Sequence, residues 1–126
     1  MDMRGLLLVM ATFPDLENAR RISRQLVEER LVACVNLLPQ AESIYRWKGA
    51  VEVSGEVVAV IKTTVVRFEE LRFRFKALHP YEVPELVALE VVAGLPDYLR
   101  WVVEQTEGSG GFGESWSGAG DAKPED

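Results

Sequence analysis

The stretch His79-Pro80-Tyr81-Glu82-Val83-Pro84-Glu85 gathers an unusual share of reactive side chains into seven residues. His79 is the only histidine, and an imidazole can ligate a metal or carry a proton near neutral pH. Glu82 and Glu85 add carboxylates, and Tyr81 adds a phenol that can donate or accept a hydrogen bond. Each proline pushes the residue before it out of the helical region, so His79 and Val83 are expected in extended or turn backbone. The stretch therefore reads as a stiff loop between a helix ending near Leu78 and a strand starting near Pro84, which suits a strand's first residue. Polar groups fixed on such loops are where sites tend to be built. A local role for His79 is the alternative. A histidine at a helix C-terminus satisfies free carbonyls and suits the dipole there.

Other residues carry weaker signals. Cys34, the only cysteine, lies in an apolar run and reads as core, where a free thiol behaves as a small hydrophobe. A Cys–His nucleophilic pair would also need an orienting third group, and none stands out. Lys62 follows the apolar run Val57 to Ile61, so it is expected to be partly buried and in need of a partner. Glu85 is the nominated partner, across the sheet or across a subunit boundary. Glu56 shares a strand face with Lys62, but six residues span about 20 Å. There is no Gly-rich phosphate loop, CxxC, HExxH or GxSxG pattern.

Elements must position these groups. Gly5 to Thr12 is a continuous apolar run, expected as a strand buried on both faces. Asp15 is a good N-cap, and Leu16, Ala19, Ile22, Leu26 and Val27 recur at helical spacing towards about Arg30. Val32 to Leu38 reads as a second strand, interrupted at Pro39 and resumed through Ser43 to Lys48. Ser43, Tyr45 and Trp47 then share one face. Lys48-Gly49 is a tight turn, and the chain returns through Val51 to Thr64 with a bulge or bend expected at Gly55. Phe68, Leu71, Phe75 and Leu78 stripe a second helix. Phe73 lies off that stripe and is expected to meet a neighbouring subunit or the tail. Leu86 to Ala93 is a further strand, and Pro96-Asp97 starts a short last helix. The order βαββαβα is an α+β, ferredoxin-like plan with one extra helix and the helices on one sheet face. Hairpin arms of ten or more residues would leave exposed edges, so a second subunit is expected to pair with them. Tyr45 and Trp47, near the hairpin tip, are candidate anchors of that interface.

Composition bounds the rest. A chain of 126 residues, 48% hydrophobic and 27% charged, suits one soluble domain. The net charge is −6, and residues 107–126 carry −4 of it (five acids, one lysine), leaving −2 for residues 1–106. Such a body lacks the basic footprint of a nucleic-acid binder. Residues 107–126 hold six of the ten glycines and read as a flexible acidic tail behind a single domain, 1–106. One unpaired cysteine points to a reducing compartment, and no segment reads as a signal peptide or membrane span. Cytoplasm is the expected location.

Several segments together resemble the CutA family, small proteins named for divalent-cation tolerance. They are the His79 stretch, Leu26-Val27-Glu28-Glu29-Arg30-Leu31-Val32-Ala33-Cys34-Val35-Asn36, Ser43-Ile44-Tyr45-Arg46-Trp47-Lys48-Gly49, Ile61-Lys62-Thr63 and Tyr98-Leu99-Arg100-Trp101. They occur in order, across about Leu6 to Thr106. The resemblance implies a ferredoxin-like subunit, a homotrimer related in architecture to PII-type signalling proteins, and no enzymatic activity. It implies tolerance of or response to divalent cations, chiefly copper, with no obligatory cofactor.

The resemblance also suggests ligands. Some bacterial members associated with copper carry a cysteine where this chain has Met10 and a His-His pair where it has Leu78-His79. The implied metal ligands here are His79, Met10 and Glu82, with Glu85 as a further carboxylate. A thioether favours Cu(I), and imidazole with carboxylate suits Cu(II) or Zn. The PII likeness implies an alternative: a sensor or adaptor with a small-ligand cleft between subunits, drawing on Lys62, Glu85, Tyr81 and Glu56, and a protein partner yet to be identified. Loss of metal on changing His79 would favour the first reading, and dependence on Lys62 and Glu85 the second.

Overall fold

The computed structural model describes residues 5–107. Their order is β1 (Leu6–Phe13), α1 (Leu16–Glu28), β2 (Cys34–Trp47), β3 (Ala50–Thr64), α2 (Val65–Leu78), β4 (Leu86–Val91) and α3 (Pro96–Thr106). The four strands form one sheet in the order β2-β3-β1-β4, with every neighbouring pair antiparallel. This is the expected α+β, ferredoxin-like plan. The expected tail beyond Glu107, with Phe112 and Trp116 in it, lies outside the described residues.

Alternation on the central strands decides what each sheet face does. Leu7, Val9, Ala11 and Phe13 of β1 pair with Thr63, Ile61, Ala59 and Val57 of β3, and all eight are buried. They share one core with Ala19, Ile22 and Leu26 of α1 and Leu71 and Phe75 of α2. Asp15 caps α1, its carboxylate accepting from the Asn18 N–H at 2.8 Å. Across the helical layer, Arg74 donates to both oxygens of Glu29, at 2.9 and 3.0 Å.

The other residues of the same strands form the outer face. Leu8, Met10 and Thr12 sit beside Lys62, Val60 and Val58 on one side, and Leu8 and Met10 beside Leu89 and Val87 on the other. The helix α3 lies at one end of this face. Its Tyr98, Leu99 and Val102 line an apolar cleft with Leu6, Leu8 and Lys62. The expectation that the helices share one face therefore holds for α1 and α2 and fails for α3.

The hairpin corrects two further expectations. β2 is one strand from Cys34 to Trp47, not two pieces parted at Pro39. Its register shifts between Leu38, opposite Val58, and Ala41, opposite Glu56. One extra residue is therefore absorbed at Pro39-Gln40, and Gln40 takes a positive φ of 67°. Pro39 is tolerated because β2 is an edge strand and a bulge needs no ladder donor there. Gly55 is not the bulge. It pairs in register with Glu42, just beyond the irregular site on the opposite strand. The turn forms as expected, with Lys48 and Gly49 at φ 49° and 84° between paired Trp47 and Ala50.

Beyond the bulge the hairpin leaves the body of the sheet. β1 ends at Phe13, opposite Val57, so residues 50–56 and 41–47 continue as a two-stranded ribbon. Seven residues per arm make it roughly 20 Å long. Phe73 is 78% exposed on α2. The contact expected for it, with a neighbouring subunit or the tail, would lie outside the described residues.

Candidate functional site

The site forms where the ribbon departs. Pro80 keeps His79 extended, at φ −79° and ψ 139°, and this ends α2 at Leu78. The His79 N–H still donates to the Phe75 carbonyl at 3.0 Å, closing the helix. Its ring turns inward. It stacks on Phe13 with 5.2 Å between centroids and lies 5.0 Å from Phe75 and 4.8 Å from Tyr81. The Tyr81 N–H donates to His79 Nδ1 at 3.1 Å, which leaves the ring proton on Nε2. Nε2–H then donates to the Thr12 carbonyl at 2.8 Å. Both ring nitrogens are thus engaged, and the residue is 7% exposed. Burial pushes the imidazole below its ordinary range, against the opposing pull of the Thr12 carbonyl. His79 is in consequence the post that pins the loop to the end of β1. Lys76 Nζ adds a second tie, donating to the Glu82 carbonyl at 2.6 Å.

The loop so fixed faces the ribbon across a cleft of about 580 Å³. Tyr45 and Trp47 of β2, Glu56 of β3, and Tyr81, Glu82 and Glu85 of the loop line it. The bulge makes this convergence possible. After the extra residue, Ala41, Ser43, Tyr45 and Trp47 pair with Glu56, Ser54, Glu52 and Ala50, so the aromatics share the face of Glu56. The Tyr81 hydroxyl donates to Glu56 Oε2 at 2.7 Å. Burial and the adjacent Glu56 carboxylate drive the phenol's acidity far down, so Tyr81 stays a neutral donor. The Tyr45 hydroxyl meets Ser54 Oγ at 3.2 Å.

Residues 7–105 match the family model described as CutA1 divalent ion tolerance protein. The chain belongs to this family. The divalent-cation tolerance protein CutA of Thermus thermophilus is 50% identical over 79% of this chain and 96% of its own length. The CutA of Pyrococcus horikoshii is 41% identical over 81% of this chain and 99% of its own. The crystal structure of CutA from Xylella fastidiosa superposes with a TM-score of 0.80 at 46% identity, covering 82% of this chain and 99% of that one.

Within this CutA chain the expected site residues divide. Glu56, Tyr81 and Glu85 come together in the cleft, with Glu82 beside them. Lys62 does not join them. Its ammonium donates to Asn36 Oδ1, and it lines the apolar cleft beside α3. Lys62 sits opposite Leu8 while Glu85 precedes Leu86, which sits opposite Ala11, so the Lys62–Glu85 pair is not made within one chain. Met10 and His79 are likewise separated. Met10 lies on the outer face, whereas the His79 ring stacks on Phe13 of the inner face. Among the described residues no three His, Cys, Asp or Glu side chains are grouped to hold a metal ion. Cys34 Sγ lies 3.5 Å from the Tyr98 hydroxyl.

Three participants escaped the sequence reading. Thr12 contributes a backbone carbonyl, which no side-chain pattern announces. Asn36 is set beside Lys62 by the β2–β3 register, and the Lys76 tie depends on the path of the loop. The bulge could have been suspected from Pro39 inside an otherwise continuous strand pattern.

Proposed function

We propose that the protein acts as a homotrimer in tolerance of or response to divalent cations, chiefly copper, without catalysing a reaction and in the cytoplasm. It meets the cation weakly beside the His79 loop. The observation that carries this reading is that Glu56, Glu82 and Glu85 all line one cleft next to that loop, too far apart to form a closed ligand cluster, with Lys62 turned elsewhere. Carboxylates grouped this loosely fit weak binding, because tight sites impose ligand number and geometry. With both ring nitrogens engaged, His79 would ligate only after giving up the Thr12 or Tyr81 bond. Met10 would meet a metal on the outer face, where a neighbouring subunit could complete the shell. The trimer is supported by that face itself, where Val60, Val87 and Leu89 lie outside the helical layer. The partly exposed free thiol of Cys34 suits a reducing compartment.

Native mass spectrometry of the full chain with copper, zinc and magnesium tests this reading. A trimer that takes up copper weakly, and less after Glu82→Gln with Glu85→Gln, supports it. A monomer, or a trimer indifferent to copper, overturns it.

A second reading is favoured by the size and walls of the cleft. About 580 Å³ lies within the range of small-molecule pockets and far exceeds one ion. Aromatic walls serve a molecule better than a metal. On this reading the protein is a sensor or adaptor that presents its ribbon to a protein partner according to what the cleft holds.

A further inference from the structure

Glu56 is the one acidic side chain buried among the described residues. It is 9% exposed, so most of its hydration is gone. A buried carboxylate normally has a cation or several donors beside it. Glu56 has the Tyr81 hydroxyl on Oε2, and no basic side chain forms an ion pair with it among the described residues. The lining of the cleft contains no lysine, arginine or histidine, and the cation beside it is the Lys48 ammonium over the Trp47 ring at the ribbon tip, 5.6 Å from the centroid. The lining contains instead two further carboxylates, Glu82 and Glu85, and three aromatic rings, Tyr45, Trp47 and Tyr81. Aromatic faces attract ammonium and guanidinium groups through the ring quadrupole, most strongly where water is excluded.

We propose that this cleft binds a small organic cation, an amine or ammonium compound, whose charge meets Glu56 at the cleft floor between the rings of the ribbon and the loop. The inference rests on the sensor reading above and names its ligand class. The walls discriminate against the alternatives. A small anion would face three carboxylates with no cation in the lining to receive it. A bare metal ion would leave most of the volume and all three rings unused. An elongated diamine could place one nitrogen at Glu56 and the other towards Glu82 and Glu85 at the exposed rim.

The test is calorimetric titration of the full-length protein with three probes of matched length: 1,4-diaminobutane, 1,4-butanediol and succinate. The diamine is expected to bind, and the diol and the dicarboxylate are not. Glu56→Gln keeps the side-chain shape and removes the charge, and it should weaken the diamine about tenfold or more, as loss of a charge-assisted bond does. Trp47→Leu, on the exposed ribbon, should also weaken it, while Glu69→Gln on α2 should leave it unchanged. Circular dichroism on each variant separates a lost site from a lost fold. Binding of the diol or succinate in place of the diamine overturns the cationic class and leaves the sensor reading standing. Failure of all three probes overturns both. A crystal structure of the assembly with a lysine or arginine of a second copy seated at Glu56 overturns the inference too, because the counter-charge would then be structural. Copper titrated in parallel reads the metal proposal independently of any of these results.

Discussion

The two faces of the sheet are built from the same strands and do different work. On the inner face every residue of the central pair from Leu7 to Phe13 is closed off, and even the polar Thr63 is satisfied, donating to the Leu31 carbonyl at 2.6 Å. On the outer face Leu8, Met10, Val58 and Val60 are apolar but half open, and one end of that face runs on into the ribbon and its acidic cleft. Alternation by one residue separates them, so stability is concentrated on one face and the proposed recognition on the other. Function is to be sought not among the polar groups whose bonds are complete, but among those left short of a partner.

The inner face should be the most sensitive to change. Phe13→Ala would remove a ring packed 5.8 Å edge-on from Phe75 and stacked on His79. The loss should be about 3–5 kcal/mol, as for other buried phenylalanines, read by chemical denaturation. A cost below that of an exposed substitution such as Val53→Ala would break the division between the faces.

His79 stands at the boundary between the two faces. His79→Leu strands the Tyr81 N–H and the Thr12 carbonyl, each costing about 1–3 kcal/mol when left buried without a partner. A variant that unfolds more easily while wild-type copper uptake persists would make His79 a structural post. A variant of unchanged stability that loses copper would make it a ligand. The pH dependence has a definite sign. Burial holds the folded imidazole below its ordinary value of 6.5, so the unfolded chain takes up the proton first. The His79 contribution is complete above that value and shrinks as the pH falls through it towards the folded value. The melting temperature should therefore drop on acidification in the wild type, and less steeply in His79→Leu.

Much of this was legible in the sequence, and the parts that were not share a cause. The strands, the helices and the Lys48-Gly49 turn follow from local pattern: alternation, helical spacing, and residues that tolerate positive φ. The pre-proline geometry of His79 was legible for the same reason. The pairing of Tyr81 with Glu56 was not, although both residues stood out, because 25 positions separate them and only the sheet register unites them. Lys62 misled for the converse reason. Its need of a partner was visible, but the nearest acceptor across the ladder is the neutral Asn36. The reversal of side-chain parity at Pro39-Gln40 decides which aromatics face Glu56. It depends on one extra residue that composition does not reveal.

The outer face supplies a smaller effect on the single subunit and a larger one on assembly. Val60 lies in register with Met10 on that face. Val60→Lys places a charge where the proposed trimer has its contact, so light scattering should report smaller species while circular dichroism remains that of a folded chain. A variant that stays trimeric would move the interface to the ribbon or to β4 and would leave the apolar outer face needing another partner.

The smallest effect belongs to the bidentate pair of Arg74 and Glu29, which joins the second helix to the end of the first over the helical layer. Both side chains are about one-third exposed, so water screens the attraction and its contribution is minor beside that of Phe13. Its sign is nonetheless fixed. The Arg74 guanidinium holds the Glu29 carboxyl below its ordinary value of 4.5, so the stabilisation is present above that pH and is lost as the pH falls through the folded value. Arg74→Met should flatten the acid limb of the stability profile and leave the His79 limb near neutrality unchanged. If both limbs flattened together, the helical layer and the His79 loop would unfold as one unit, and the boundary drawn at His79 would have to be redrawn around the whole inner face.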